Sequence, residues 1–500
     1  MKDIKLLGRL KYDYSEPIRV TNKYTPSSMR KIGDKQFVFE FDEYITGWIE
    51  LTVDCKKDTE VSIQYTERMD KSGIPFLHHS ITENGRLQKD FFISAGEKVT
   101  YRPMFSYKGF HYVLIEGLEE MKITDVVGCM MHNDVKSVME FECSDDLLNW
   151  IHNATRKTIL CNFHGLSTDT PIFEKQGWGV TGKTPWEAVC GPTPTVDSCW
   201  PEIVYRLYWC YEDIDALKEN YDGLKKYAAY INKYANNGLC DKGIGDWLPP
   251  TGDRMVEWAE PPEGPQVVES AYHIRIFERM EQIATILEKE EDAKYFKEER
   301  KRLIDLFNKT YYDEQKGYYH KEGYDEFRQA GNVLAIAFGI ATDEIKKNVM
   351  KNLLNDHEER DWHFCMGMYT SMYLPIVLSE EGYHEDAIKV VTAKGYPGFD
   401  FMRQTGSTTI FEAWECEVCR SSCHYAFGAT DNWIISYLGG IKQLASGYSK
   451  VKISPNLPES IEYFNYSIDT IRGVIDVKYY RENGKLVAEI NAPKTIEIVE

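Results

Sequence analysis

The chain has 500 residues, 28% charged and 43% hydrophobic, an ordinary globular balance with room for two or three domains. Its formal net charge of -20 argues against a nucleic-acid surface and against binding to anionic membranes. No run reaches the roughly 18 apolar residues of a membrane span.

The opening Met1-Lys2-Asp3-Ile4-Lys5 leads into mixed charged and apolar residues without an apolar h-region, so no secretory leader is expected and the chain reads as cytoplasmic. In that setting the 12 cysteines read as reduced, mostly buried thiols, and the sequons at Asn153, Asn308 and Asn465 carry little weight.

Residues 1–137 alternate with a period near two. Gln36 to Phe41, Trp48 to Val53, Val61 to Tyr65 and His111 to Ile115 are predicted strands, separated by turns such as Asp70-Lys71-Ser72-Gly73. Short alternating strands with polar turns predict a β-sandwich. The pattern changes after Cys143. Ser144 is a candidate N-cap, and Leu147, Leu148, Ile151 and Ala154 repeat at helical spacing. Further helices are predicted over 202–211, 215–234, 266–287, 291–307, 344–353, 366–378, 385–391 and 432–438. Their connecting loops are rich in Gly, Pro, Trp and Asp, which fits an α/α toroid over 138–445 with its site built from loops. Strands return over 446–500, which is too short for a generous independent domain and predicts a small sheet. There Arg481-Glu482-Asn483-Gly484 carries an Asn-Gly hairpin signal between Gly473–Tyr479 and Lys485–Ile490.

Chemistry concentrates in the helical segment. Ser167 to Trp178 packs two carboxylates, a proline, a glycine and a tryptophan into one non-repetitive turn. Such a loop aims acids at an aromatic surface, as acid-catalysed cleavage of a sugar bond requires. Glu174 is the candidate general acid, since Phe173 and Trp178 can raise its pKa, while the ammonium of Lys175 would oppose that. Glu412, in Phe411-Glu412-Ala413-Trp414-Glu415, is the candidate general base, with Glu415 its local competitor. Asp169 suits gripping sugar hydroxyls or capping its own loop. Asp246-Trp247 and Glu257-Trp258 each pair an acid with a stacking surface. Trp178, Trp247 and Trp414 read as pocket linings or as core. His424 orients Glu412, binds a hydroxyl, or makes a structural hydrogen bond.

Cys416, Cys419 and Cys423 beside His424 lack the distant second ligand pair of a zinc ribbon, so no metal is expected. Gly177 to Thr184 matches the phosphate-loop expression, but no strand feeds it and the match reads as coincidence. No cofactor is expected.

Taken together these segments resemble the bacterial and fungal α-L-rhamnosidase family of glycoside hydrolases over nearly the whole chain. Thr168 to Trp178 resembles the family's Thr-Asp-Cys-Pro-x-Arg-Glu-Lys-x-Gly-Trp loop, and Thr409 to Trp414 its Thr-Ile-Trp-Glu-x-Trp element. Gly245 to Leu248, Gly395-Tyr396-Pro397, His424 to Gly428 and Ile453 to Asn456 are further landmarks in matching order. The resemblance implies a multidomain protein with an (α/α)6 barrel between an N-terminal β-sandwich and a small C-terminal β-sheet domain. It implies an inverting exo-hydrolase that removes terminal α-L-rhamnose or a closely related sugar, with Glu174 as acid, Glu412 as base and Asp169 binding hydroxyls.

Phe173 replaces the family's loop arginine and Thr170 its cysteine. After Gly177-Trp178 the chain carries two extra residues and Lys183, where the family has aspartate. Lys183 is therefore a candidate substrate contact. With Phe173 it motivates one alternative, a non-hydrolytic carbohydrate-binding protein on the same scaffold, and alone it motivates another, a hydrolase with altered, uronate-containing specificity. The expected partner is a small glycoside or oligosaccharide, with no nucleic acid and no membrane; a homodimer is the assembly considered.

Overall fold

The computed structural model describes residues 15–76, 88–172, 174–175, 191–235, 238–250, 261–415 and 420–499. They form two compact units, one of residues 15–136 with 159–175, the other of 137–158 with 191–499.

In the first unit an eight-stranded antiparallel sheet runs in the order Ile18–Tyr24, Ile123–Asn133, Gln36–Val53, Lys108–Glu116, Glu60–Thr66, Lys89–Ile93. Ser28–Gly33 and Val99–Tyr101 also pair with the long strand. The two strands predicted at 36–41 and 48–53 are thus one strand of 18 residues. Its pairing with Lys108–Glu116 shifts register between Glu40 and Ile45, so the strand bends there and continues along Ile123–Asn133. The bend lets one hydrogen-bonded sheet close as a sandwich around Phe37, Phe41, Ile49, Leu51, Ile63 and Val113, all at most 2% exposed. The Asp70 turn forms as predicted, its carboxylate accepting from the backbone N–H of Ser72 and Ile74.

The second unit is built from helical hairpins. Cys199–Tyr211 packs on Ile214–Tyr234, Gln266–Ile286 on Glu290–Tyr311, Gln329–Ala337 on Asp343–Glu359, and Tyr373–Glu380 on His384–Val391. The first helices of these hairpins also touch one another in succession. Burial separates the partners. Gln266–Ile286 buries fourteen of its 21 residues, nearly all round, whereas Glu290–Tyr311 buries only Phe296, Leu303, Phe307 and Tyr311 along one stripe. That contrast is the inner and outer layering of an α/α toroid.

Two helix boundaries differ from expectation. Asp145 caps the Asp146–Cys161 helix, accepting from Leu147 and Leu148 N–H, while Ser144 accepts from Glu462 N–H instead. The helix predicted over 366–378 begins only at Tyr373. Upstream, tertiary bonds hold the segment: the N–H groups of Cys365, Gly367 and Met368 donate to Gln329, Asp246 and Trp247.

Four antiparallel strands close this unit in the order Lys485–Asn491, Gly473–Glu482, Tyr463–Thr470, Met139–Cys143. The expected hairpin is present: Glu482 pairs with Lys485 around Asn483 (φ 50°) and Gly484 (φ 77°), two left-handed residues that match the strand twist. A second sheet joins Ile441–Gln443, Lys450–Ile453 and Glu497–Val499. Among the described residues no helix is long and apolar enough to cross a membrane.

Candidate functional site

The acids singled out above fall in both units. In the helical unit, the Gly243 to Pro250 loop is kept irregular by positive φ at Gly243, Gly245 and Leu248. Asp246 is fully buried. Its Oδ1 accepts from Gly367 N–H at 2.8 Å and from the Thr370 hydroxyl, while Oδ2 has no hydrogen-bond partner among the described residues. Burial pushes its carboxyl up to about 7, the nearby Glu263 adds to the rise, and Thr370, Arg328 and Gly367 oppose it. Trp247 is half-buried, and its carbonyl accepts from Met368 N–H at 2.9 Å. A Cβ on Gly367 would lie 2.1 Å from that carbonyl oxygen, so the two loops touch backbone to backbone only because 367 is glycine.

The same loop reaches the Glu412 turn, because the Trp414 indole donates to Met366 O at 2.7 Å. Residues 409–412 run antiparallel to 421–424. His424 N–H donates to Ile410 O, Glu412 N–H to Ser421 O, and the Thr409 hydroxyl to Ser422 O. Ser421 N–H in turn donates to Glu412 Oε2 at 2.8 Å, which aims a carboxylate that is 6% exposed. Trp414 differs from its role as a candidate sugar platform. It is fully buried, stacked on Phe364 at 4.9 Å and packed against Phe399 and Phe427, so it holds the turn and offers no ring face to a ligand. His424 is buried, stacks on Tyr425 and accepts from Ala426 N–H through Nδ1. Glu415 accepts from the Tyr396 hydroxyl.

In the other unit the 168–175 loop closes on itself. Thr168 binds Asn162 through N–H and hydroxyl, Thr170 N–H donates to Glu174 O at 3.1 Å, and Glu174 N–H donates to the Thr170 hydroxyl at 3.0 Å. Thr170 thereby ties down the backbone of Glu174. Asp169 is 7% exposed and Glu174 is partly buried. The Lys175 ammonium donates to Tyr107 O at 2.6 Å and lies 4.3 Å over the Tyr107 ring, which stacks on His164.

Burial, helped by Lys108 and opposed by Asp90, lowers the Lys175 pKa to about 7. An unfolded lysine keeps its proton to about 10.4, so between pH 7 and 10 the unfolded chain binds more protons than the folded one. The contribution of Lys175 to stability should therefore rise with pH across that window. In Lys175→Met this contribution should vanish, as urea titrations of both proteins at pH 7 and pH 9 would reveal; equal pH slopes would refute it.

Trp178, Lys183, Phe173, Glu257, Trp258, Cys416 and Cys419 lie outside the described residues. Three charged residues escaped the sequence reading. Glu269 is fully buried and accepts from Thr195 and Gly245 N–H, each at 2.9 Å, fastening two loops together; burial raises its carboxyl to about 7 against those bonds. An acid inside Val267-Val268-Glu269-Ser270-Ala271 was the available signal. Glu263 and Arg328, an ion pair at 3.0 Å, gave none.

Comparisons with known proteins match most of the chain. Residues 136–189 and 184–438 match the bacterial alpha-L-rhamnosidase six-hairpin glycosidase domain. Residues 30–132 match that group's concanavalin-like domain, and 440–498 its C-terminal domain. An alpha-L-rhamnosidase of Formosa agariphila is 26% identical over 543 aligned positions, spanning 96% of this chain and 56% of that protein. The solved alpha-L-rhamnosidase from Dictyoglumus thermophilum superposes with a TM-score of 0.90 at 26% identity, over 98% of this chain and 59% of that one. The Streptomyces avermitilis enzyme, solved with L-rhamnose, shares the fold with a TM-score of 0.83 at 21% identity, over 97% of this chain and 50% of that one. The chain spans 49–57% of the length of the curated relatives it matches.

Proposed function

The chain belongs to the bacterial α-L-rhamnosidase family, and on that premise we propose that it is an inverting exo-glycoside hydrolase removing terminal α-L-rhamnose or a closely related sugar. The observation that carries this reading is the Glu412 turn. A carboxylate at the glutamate of the family's Thr-Ile-Trp-Glu-x-Trp element, with Phe411 in place of its first tryptophan, is nearly buried and held by a backbone N–H at 2.8 Å. Glu412 takes the proton of the attacking water, and Glu174 protonates the leaving oxygen. Asp169 and Asp246 bind sugar hydroxyls, supported by their burial and by the unpartnered Oδ2 of Asp246. The half-buried Trp247 ring supplies an apolar face, with Trp178 and Lys183 as further substrate contacts. Cytoplasmic action on small glycosides completes the proposal; the nine described cysteines are free thiols, as suits a reducing compartment.

The test is hydrolysis of a chromogenic α-L-rhamnoside with the first-formed sugar read by proton NMR. Turnover giving the β-anomer first is expected. Turnover of other glycosides alone, or saturable sugar binding without any product, would defeat the substrate or the hydrolytic half respectively.

A further inference from the structure

The 168–175 loop is seated on the start of the Lys108–Glu116 strand at two points. The first is Pro171 against Gly109. A Cβ on Gly109 would stand 2.3 Å from the Tyr44 hydroxyl, itself bonded to Glu67 at 2.6 Å, and 3.1 Å from Pro171 Cγ. The absence of a side chain at 109 therefore makes room for the loop. The second is Lys175, whose ammonium donates to Tyr107 O at 2.6 Å and sits 4.3 Å over the ring of the same residue. Lys108, between the two points, is buried and paired with Asp90 at 3.0 Å, which fixes the strand's first residue.

Tyr107 is a rigid support. Its ring stacks on His164, with centroids 4.1 Å apart and planes 11° from parallel. His164 is tied in turn, its Nε2–H donating to Met131 O at 2.9 Å. Burial pushes the His164 pKa down to about 4, so above that pH the imidazole is neutral and brings no charge to compete with Lys175 at the ring. Thr170 fixes the backbone of Glu174 within the loop. Lys175 fixes the loop to the sheet one residue further on.

We propose that Lys175 and Tyr107 are positioning residues for the general acid: the ammonium, held by the Tyr107 carbonyl and ring, sets where Glu174 delivers its proton. The inference rests on the reading of Glu174 as the acid and names what aims it. Proton transfer to a leaving oxygen requires hydrogen-bond reach, and a displacement of about 1 Å costs up to roughly a hundredfold. A loosened loop should cost most where the leaving group most needs the proton.

The experiment measures kcat on an alkyl and on a dinitrophenyl rhamnoside for wild type, Glu174→Gln, Lys175→Met, Tyr107→Leu and Tyr107→Phe, with melting temperatures at the assay pH. Methionine keeps the reach of lysine and loses its donor and its charge. Lys175→Met and Tyr107→Leu should each lose about 30–100-fold on the alkyl substrate and about threefold or less on the dinitrophenyl one. Tyr107→Phe restores the ring and should recover most of the loss seen in Tyr107→Leu. Equal losses on both substrates, or none, in folded variants overturn the proposal, as does Tyr107→Phe faring no better than Tyr107→Leu. If one of Lys175→Met and Tyr107→Leu does not fold, the other decides. Wild type that turns over neither rhamnoside, or Glu174→Gln that loses equally on both, strikes the reading of Glu174 as acid and this inference with it. Glu174→Gln that depends on the leaving group, beside Lys175→Met and Tyr107→Leu that do not, strikes this inference alone.

Discussion

Glu412→Gln should lower kcat on an α-L-rhamnoside by about a thousandfold, some 4 kcal/mol in the barrier, while leaving the melting temperature nearly unchanged. Glutamine preserves the shape, and its carbonyl oxygen can still accept from Ser421 N–H, the bond that holds Glu412 Oε2 at 2.8 Å. What disappears is the capacity to take a proton from water. The control is the neighbouring acid. Glu415 is engaged by the Tyr396 hydroxyl, so Glu415→Gln should keep kcat within about tenfold of wild type. Steady-state kinetics of the two variants side by side separates the candidates, and the reverse ranking would move the base from 412 to 415.

The second large effect is diagnostic in its dependence on the leaving group. A general acid matters most when the departing oxygen is a poor leaving group. Glu174→Gln should therefore cost about 10³-fold on an alkyl or sugar-linked rhamnoside, and about tenfold or less on a dinitrophenyl rhamnoside, which leaves without a proton. The backbone that carries the residue should persist, because Glu174 N–H is bonded to the Thr170 hydroxyl and Glu174 O to Thr170 N–H. A Brønsted series over leaving groups makes the measurement. Equal losses across the series would deprive Glu174 of the acid's role. Lys175, feared from sequence as a charge that would lower the acid's pKa, has its ammonium on the Tyr107 carbonyl.

What could be read beforehand was whatever depends on near neighbours in the chain. The Asn483-Gly484 hairpin was legible because its turn needs two left-handed residues and the sequence supplies them. The amphipathic Glu290–Tyr311 helix was legible by its stripe. Gln329–Ala337 was not: seven of its nine residues are buried on every side, leaving no periodicity to detect. The helix expected over 366–378 was overlong for a different reason: Gly367 and Met368 are held by a side chain and a carbonyl 121 positions away, contacts that local periodicity does not register. The site divides in the same way. Asp246 stood out through its glycine-rich, aromatic surroundings. Trp414 misled because an aromatic next to an acid describes a pocket wall and a core wedge equally well. Glu263 and Arg328 lie 65 positions apart, and only folding makes them neighbours.

The pairing of Met139–Cys143 with Tyr463–Thr470 also has a bearing on biosynthesis. Phe141 and its partner Tyr466 are separated by 325 residues. At about 5–20 residues per second a ribosome needs roughly 15–65 s to bridge that gap. Throughout that interval the early strand is a nascent edge with apolar Met139 and Phe141 unpaired, open to any competing strand that passes. A chain released prematurely anywhere in the helical region would leave that edge unmatched for good, so truncated translation products of this protein should be drawn to chaperones and aggregates by the same five residues that, in the finished molecule, stitch the start of the helical unit to the strands that follow it.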